Sequence, residues 1–135
     1  LPLDSDLNTY LVGQWRFPLE QYTWEIPKGG CPENTEPLAT AKRELQEETG
    51  LAATEWTYLC KAHPSNSCTD EIAHLYLARN LTEGQSEPEE TEILTIKKLK
   101  FSEAVEMVSR GEITDALSII AILKVQLILE SEQKK

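Results

Sequence analysis

The sequence predicts one α/β domain in which helices and strands form a layered sandwich. Its 135 residues, 40% of them hydrophobic, are enough for one sizeable core and argue against a second domain, so we expect residues 1–135 to fold as a single unit. Short alternating segments typical of strands are interleaved with segments of helical period. This interleaving is typical of an α/β sandwich.

The strand signals begin near the N-terminus. The turn residues Asp4-Ser5-Asp6 precede a β-prone run, which predicts a hairpin over residues 3–14 whose second strand runs towards Trp15. Residues 22–26 alternate and end at Pro27, and the glycine-containing stretch 28–32 that follows reads as a loop. Further strands are predicted at about 56–62, 72–79 and 93–99, with a polar, acidic loop over residues 82–91.

Three segments have helical character, and the strongest is 37–49. Pro37 stands in its first turn, apolar residues recur on one face, and Gly50 follows as a left-handed stop. Ser102 is expected to cap a helix over 103–110, and Thr114 or Asp115 to open a longer one that reaches about residue 130. We expect the last three residues to fray.

Charge and cysteine content exclude several classes of function. The chain has 23 Asp and Glu against 13 Lys and Arg, a formal net charge of -10, so neither nucleic acid nor an anionic membrane is expected as a partner. An excess of carboxylates suits hard cations such as Mg²⁺. Three cysteines without framework spacing indicate free thiols in a reducing compartment. With no signal-peptide pattern and no long apolar run, the sequence predicts a cytoplasmic protein.

The helix at residues 37–49 carries three carboxylates on one flank. At 100° per residue, Glu44, Glu47 and Glu48 fall within about 100° of one another, and Glu48 lies about 20° from Ala41 on the face expected to be buried. A buried carboxylate needs a cation or a hydrogen-bond partner. Arg43 stands four residues before Glu47, a spacing that permits a salt bridge. The arrangement indicates a metal cradle; a solvated helix face with ordinary surface pairs is the alternative.

The residues around this helix resemble the signature of the Nudix hydrolase family. The family pattern is G-x5-E-x7-R-E-U-x-E-E-x-G-U, with U a bulky aliphatic residue. The chain reads Gly29-x5-Thr35-x7-Arg43-Glu44-Leu45-x-Glu47-Glu48-x-Gly50-Leu51. Only Thr35 departs, and Glu36 stands beside it. Residues 14–18, 24–27, 70–71 and 111–116 resemble the ADP-ribose pyrophosphatase branch. The resemblance implies a Nudix-type α/β/α sandwich with a mixed central sheet.

The resemblance also implies a metal site. Its ligands would be Glu44, Glu47, Glu48 and the backbone carbonyl of Lys28, holding two or three Mg²⁺ ions, with Mn²⁺ as an alternative ion. Arg43 would hold Glu47 in place.

A catalytic base is expected from the acidic loop that follows the central strands in this branch. Glu90 and Glu92 match best because they directly precede the strand predicted at residue 93, and Glu47 is the alternative. A disordered, solubilising loop is the other interpretation of these residues.

Five residues are candidates for substrate binding. Arg16 is always charged and can bind a phosphate with two hydrogen bonds, while an internal salt bridge to a glutamate is its alternative role. Glu25 and Glu71 match family positions near the nucleoside and the distal ribose. Lys28 and Gly29 open the loop of the signature.

The implied reaction is Mg²⁺-dependent hydrolysis of the diphosphate linkage in a small nucleoside diphosphate derivative. ADP-ribose, cleaved to AMP and ribose 5-phosphate, is the favoured substrate. Another nucleoside diphosphate sugar or a dinucleoside polyphosphate is an alternative, because Pro27-Lys28-Gly29 resembles the loop of dinucleoside polyphosphate hydrolases. A catalytically silent, nucleotide-binding Nudix domain is a further alternative, suggested by Thr35. Relatives in this branch are often homodimers, so a homodimer is also expected.

Overall fold

The structure, a computed structural model, describes residues 1–85 and 94–135. Within these ranges the strands are β1 (Asn8–Arg16), β2 (Gln21–Glu25), β3 (Leu51–Ala62), β4 (Ala73–Glu83) and β5 (Thr95–Lys100). The helices are α1 (Pro37–Thr49), α2 (Phe101–Ser109) and α3 (Ala116–Gln133), and a short 3-10 helix, Phe17–Leu19, joins β1 to β2.

The described strands form two antiparallel sheets. One has the order β2-β1-β5, with Val12 opposite Glu25 on one side and Ile96 on the other. The second pairs β3 with β4. Parallel pairing occurs in these ranges as one bridge between Pro2 and Ala78, flanked by a bridge between Leu3 and Thr9. The N-terminal residues therefore tie the two sheets together.

Helices cover the sheets on both sides, as the predicted sandwich requires. On one side α3 packs against β3 and β4, and α2 packs against α3, β1 and β5, with Leu77, Ala104 and Ile122 almost fully buried in a common cluster. On the other side Leu45 of α1 packs against Leu51 and Ala78. The α/β class and its layered arrangement are confirmed.

Helix α1 has the bounds that its sequence predicts. Pro37 occupies its first turn, and Gly50 adopts φ 76° while its N–H donates to the carbonyl of Gln46 at 2.8 Å. Leu45 and Glu48 lie on its buried face. Because both ends of the helix are fixed, its glutamates keep set positions relative to the buried face.

The predicted start of α2 is wrong. Lys100, not Ser102, is the N-cap residue, and Ser102 lies inside the helix. Phe101 is buried and its N–H donates to the carbonyl of Leu7 at 2.8 Å, so tertiary contact sets the helix start directly after β5. No side chain caps this helix.

Other element ends also differ from prediction, and β4 continues past residue 79 to Glu83, into the predicted loop. Strand β3 starts at Leu51, earlier than expected, because residues 51–55 pair with β4 although they lack clear alternation. Helix α3 continues to Gln133, and Arg79 holds its last turn through two hydrogen bonds to Glu132 at 2.9 and 3.0 Å. Most of the predicted acidic loop, together with Ile93, lies outside the described residues.

Within the described ranges, no helix combines the length and the apolar character needed to cross a bilayer.

Candidate active site

A cavity of about 960 Å³ lies between α1, the loop after β2 and the segment that leads into β4. Its lining brings together residues that lie far apart in the chain and that the sequence predicts to act in binding or catalysis. These are Arg16, Lys28, Gly29, Glu44, Glu48 and Glu71.

Glu48 occupies the deepest position of the α1 glutamates. Glu48 is 6% exposed, and its Oε2 atom accepts a hydrogen bond from the backbone N–H of Lys28 at 3.2 Å. The helical angle predicted this burial. The carboxylate of Glu48 and the backbone of Lys28 are therefore adjacent, as a shared metal site requires.

Gly29 lies directly against Glu44. A Cβ atom built on Gly29 would collide with the carboxylate of Glu44, whereas one on Gly30 would meet nothing within 4 Å. Glycine at position 29 therefore lets the loop backbone approach the carboxylate closely, which is a common requirement in sites that hold cations or phosphates.

Arg43 lies between two of the glutamates. Its guanidinium is 3.5 Å from Glu47 and 3.5 Å from Glu44, and its side chain is 43% exposed. The spacing of four residues thus produces the predicted contact with Glu47. Exposed pairs at this distance are weak, so Arg43 restrains the carboxylates without neutralising them fully.

The oxygen donors at this wall suit a hard cation such as Mg²⁺. The close backbone approach at Gly29, the burial of Glu48 and its contact with Lys28 fit such an ion. Among the described residues, however, no three acidic, histidine or cysteine side chains are grouped closely enough to form a ready metal site. The joint ligation by Glu44, Glu47, Glu48 and Lys28 stays a prediction.

A buried ionic network borders the cavity. The Nε and Nη2 atoms of Arg16 each donate to the carboxylate of Glu25 at 2.8 Å, Thr23 Oγ1 donates to it at 2.6 Å, and Lys28 Nζ lies 3.2 Å from it. Burial alone raises the pKa of Glu25, but the hydrogen bonds from Arg16 and Thr23 and the charge of Lys28 outweigh it and hold that pKa at about 2. Glu25 is therefore ionised at neutral pH.

Arg16 adopts the internal salt bridge that the sequence left as its alternative role. It nevertheless lines the large cavity, and a smaller cavity of about 360 Å³ shares Arg16 and Lys28 with it. The two cations stand at the border between the cavities. Their role in substrate binding stays a prediction, as does that of Glu25.

Several residues that line the large cavity are not predicted by the sequence. Trp56, His74 and Tyr76 line the large cavity from β3 and β4, and the ring planes of Trp56 and Tyr76 meet edge to face with centroids 6.3 Å apart. Their alternation within strands signals a sheet, but no local signal shows which sheet face borders a cavity. Such rings can stack a nucleobase.

Four further residues are singled out by the sequence: Thr35, Glu71, Glu90 and Glu92. Thr35 is exposed, and its N–H closes a turn to the carbonyl of Pro32 at 3.2 Å. Glu71 is exposed beside Asp70, and its N–H donates to Thr69 Oγ1 at 3.2 Å. Glu90 and Glu92, the predicted bases, lie outside the described residues.

Comparison with known proteins agrees with this fold. Residues 3–117 match the model of the NUDIX domain. The chain therefore belongs to the Nudix family, and it is a Nudix hydrolase that resembles ADP-ribose pyrophosphatases. Hydrolases of this family typically act on nucleoside diphosphate derivatives and generally need a divalent metal.

Two relatives and one solved structure illustrate the match. The chain is 37% identical to the ADP-ribose pyrophosphatase of Bacillus subtilis over 94% of its own length and 70% of that protein. It is 35% identical to the ADP-ribose pyrophosphatase of Mycobacterium tuberculosis over 91% of its length and 61% of that protein. Its fold resembles the crystal structure of an ADP compounds hydrolase with a TM-score of 0.85 and 20% identity, covering 99% of this chain and 73% of that one.

Proposed function

We propose that this Nudix hydrolase cleaves the diphosphate linkage of ADP-ribose and yields AMP and ribose 5-phosphate. The observation that carries the proposal is the position of Glu48, buried on the wall of the large cavity beside the backbone of Lys28. The names of the two relatives support ADP-ribose as the substrate. The cavity volume is of the size that small-molecule sites commonly have.

We further propose Mg²⁺, as two or three ions, as the cofactor, with Mn²⁺ as a substitute. Glu44, Glu47, Glu48 and the carbonyl of Lys28 would hold it. When bound, Mg²⁺ supplies charge neutralisation at the diphosphate and an activated water. The oxygen-rich wall and the close approach of Gly29 to Glu44 support this assignment.

The chain's own residues would do the remaining work. Arg16 and Lys28 would border the bound diphosphate, and their partner Glu25 would keep both cations in place. Glu90 or Glu92 would position or deprotonate the attacking water, with Glu47 as the alternative base. Arg43 would restrain Glu47.

Substitution of Glu48 tests the catalytic assignment. Glu48→Gln should lower kcat by orders of magnitude at saturating Mg²⁺, because the amide cannot supply the same negative charge. Glu106→Gln, the same change at an exposed position of α2, is the matched control and should leave kcat unchanged. Circular dichroism should show an intact fold in both variants. Full turnover by Glu48→Gln would refute the assignment.

Product release from three substrates tests the specificity. ADP-ribose, GDP-mannose and diadenosine tetraphosphate represent the favoured substrate and its two alternatives. We expect the highest kcat/KM with ADP-ribose. A preference for either of the others would reassign the substrate, and binding without any turnover would favour the silent domain suggested by Thr35.

We also propose a cytoplasmic homodimer. The three cysteines form no disulfide with one another, which is consistent with a reducing compartment. The homodimer rests on the family resemblance, because relatives in the ADP-ribose pyrophosphatase branch are often homodimers.

A further inference from the structure

The N-terminus of α3 is joined to the segment that enters the signature loop. Ser118 is fully buried, and its Oγ accepts a hydrogen bond from the N–H of Ile26 at 2.9 Å. The same Oγ donates to Asp115 Oδ2 at 2.7 Å, and the N–H of Ser118 donates to that oxygen at 3.0 Å. Asp115 is thus a helix cap that also fixes the side chain holding Ile26.

The second carboxylate oxygen of Asp115 reaches the other end of the segment. Its Oδ1 accepts from Lys28 Nζ at 2.6 Å. Residues 26 and 28 are therefore both tied to one helix cap, one through its backbone and one through its side chain. Between them stands Pro27, whose ring limits the backbone further.

Lys28 links this restrained segment to Glu48 and Glu44 of α1. While its side chain is held by Asp115, its N–H donates to Glu48 Oε2 at 3.2 Å. The next residue, Gly29, packs against the carboxylate of Glu44. A shift of the segment would move both contacts.

Of the two acidic partners of Lys28, Asp115 lies closer to its ammonium group than Glu25 does. Glu25 Oε1 lies 3.2 Å from Lys28 Nζ, farther than Asp115, and it already accepts a 2.8 Å hydrogen bond from Arg16. Asp115 therefore makes the closer of the two acidic contacts that hold the Lys28 side chain.

We propose that Asp115 and Ser118 are positioning residues that set the Lys28 backbone against Glu48 for binding of the divalent metal, an inference that rests on the proposed function. Neither residue needs to touch the metal or the substrate. They act through Ile26 and Lys28, whose backbones enter the site.

Asp115→Asn tests the inference with little risk to folding, because asparagine caps helices about as well as aspartate. We expect the Kd for Mn²⁺, measured by titration calorimetry without substrate, to rise about tenfold, as is typical when a partner behind a metal ligand is lost. In activity assays the KM for Mg²⁺ should rise while kcat at saturating Mg²⁺ stays near that of the unchanged protein. Asp6→Asn, in an exposed turn, is the matched control.

A second readout needs neither metal nor turnover. In the metal-free protein, the backbone amide of Lys28 should exchange with solvent faster in Asp115→Asn and in Ser118→Ala than in Asp6→Asn. Lys28→Met should weaken Mn²⁺ binding at least as much as Asp115→Asn does, because it also loses the contact with Glu25, and the double variant should be no weaker than Lys28→Met.

The outcomes separate this inference from the proposed function. Unchanged Mn²⁺ affinity and unchanged Lys28 exchange in Asp115→Asn would overturn the positioning role. Failure of the unchanged protein to bind Mn²⁺ or hydrolyse any nucleoside diphosphate derivative would overturn the proposed function. The positioning of Lys28 would then be decided by amide exchange alone.

Discussion

Gly29 shows how one missing side chain shapes the site. Any Cβ at this position would displace the carboxylate of Glu44. Gly29→Ala should therefore lower kcat/KM about a hundredfold, as misplacement of a catalytic group by about 1 Å typically does. Steady-state hydrolysis of ADP-ribose measures the effect.

Gly30 provides the control for that substitution. Gly30 also lines the cavity, but a Cβ there would meet no protein atom within 4 Å, so Gly30→Ala should lower kcat/KM far less than Gly29→Ala does. Equal losses in the two variants would mean that loop flexibility, rather than contact with Glu44, limits the reaction.

Glu25 makes stability depend on acid pH. Its pKa is lowered from 4.5 to about 2 on folding, so its contribution, about 3 kcal/mol, is present above pH 4.5 and is lost as the pH falls towards 2. Urea unfolding should show Glu25→Gln to be the less stable protein at pH 7. The gap should narrow between pH 4.5 and 2, and a gap independent of pH would contradict the ionic role of Glu25.

Local spacing predicted some of these residue positions and not others. The burial of Glu48 follows from its angle on one helix, and the Arg43 to Glu47 contact from a separation of four residues. The partner of Lys28 does not follow, because Asp115 lies 87 residues further along the chain. Only the packed fold brings these two together.

The end of α1 depends on one backbone conformation. Gly50 has φ 76°, which disfavours any residue with a Cβ. Gly50→Ala should lower the free energy of unfolding by about 1–2 kcal/mol, measured by urea denaturation. Gly30→Ala again serves as comparison, since Gly30 does not have a positive φ; equal stabilities would argue against strain at position 50.

The ends of helices and strands could be predicted where the residues next to them determine where the element stops. Pro37 and Gly50 delimit α1 by their own backbone preferences. At α2, by contrast, burial of Phe101 overrides the capping preference of Ser102. The early start of β3 likewise depends on its partner strand, which supplies Glu83 opposite Leu51.

Because the protein has a net charge of -10, we expect its stability to depend strongly on the divalent cations that it is proposed to bind. At about 100 times its Kd, a bound ion adds about 2.7 kcal/mol to the free energy of unfolding. We expect Mg²⁺ to raise Tm by roughly 5–10 °C. Thermal scans in NaCl of equal ionic strength should show a smaller rise, and Glu48→Gln should show no difference between the two salts.

The sheet order has a consequence for synthesis of the chain. Strand β1 lies between β2, which follows it closely, and β5, which ends at Lys100. At about 5–20 residues per second, the ribosome delivers β5 several seconds after β1 and β2 have emerged. Until then these two strands form a hairpin that is marginally stable by itself, and Leu11, fully buried in the finished domain, stays accessible. Completion of the β2-β1-β5 sheet must therefore wait for most of the chain to be synthesised.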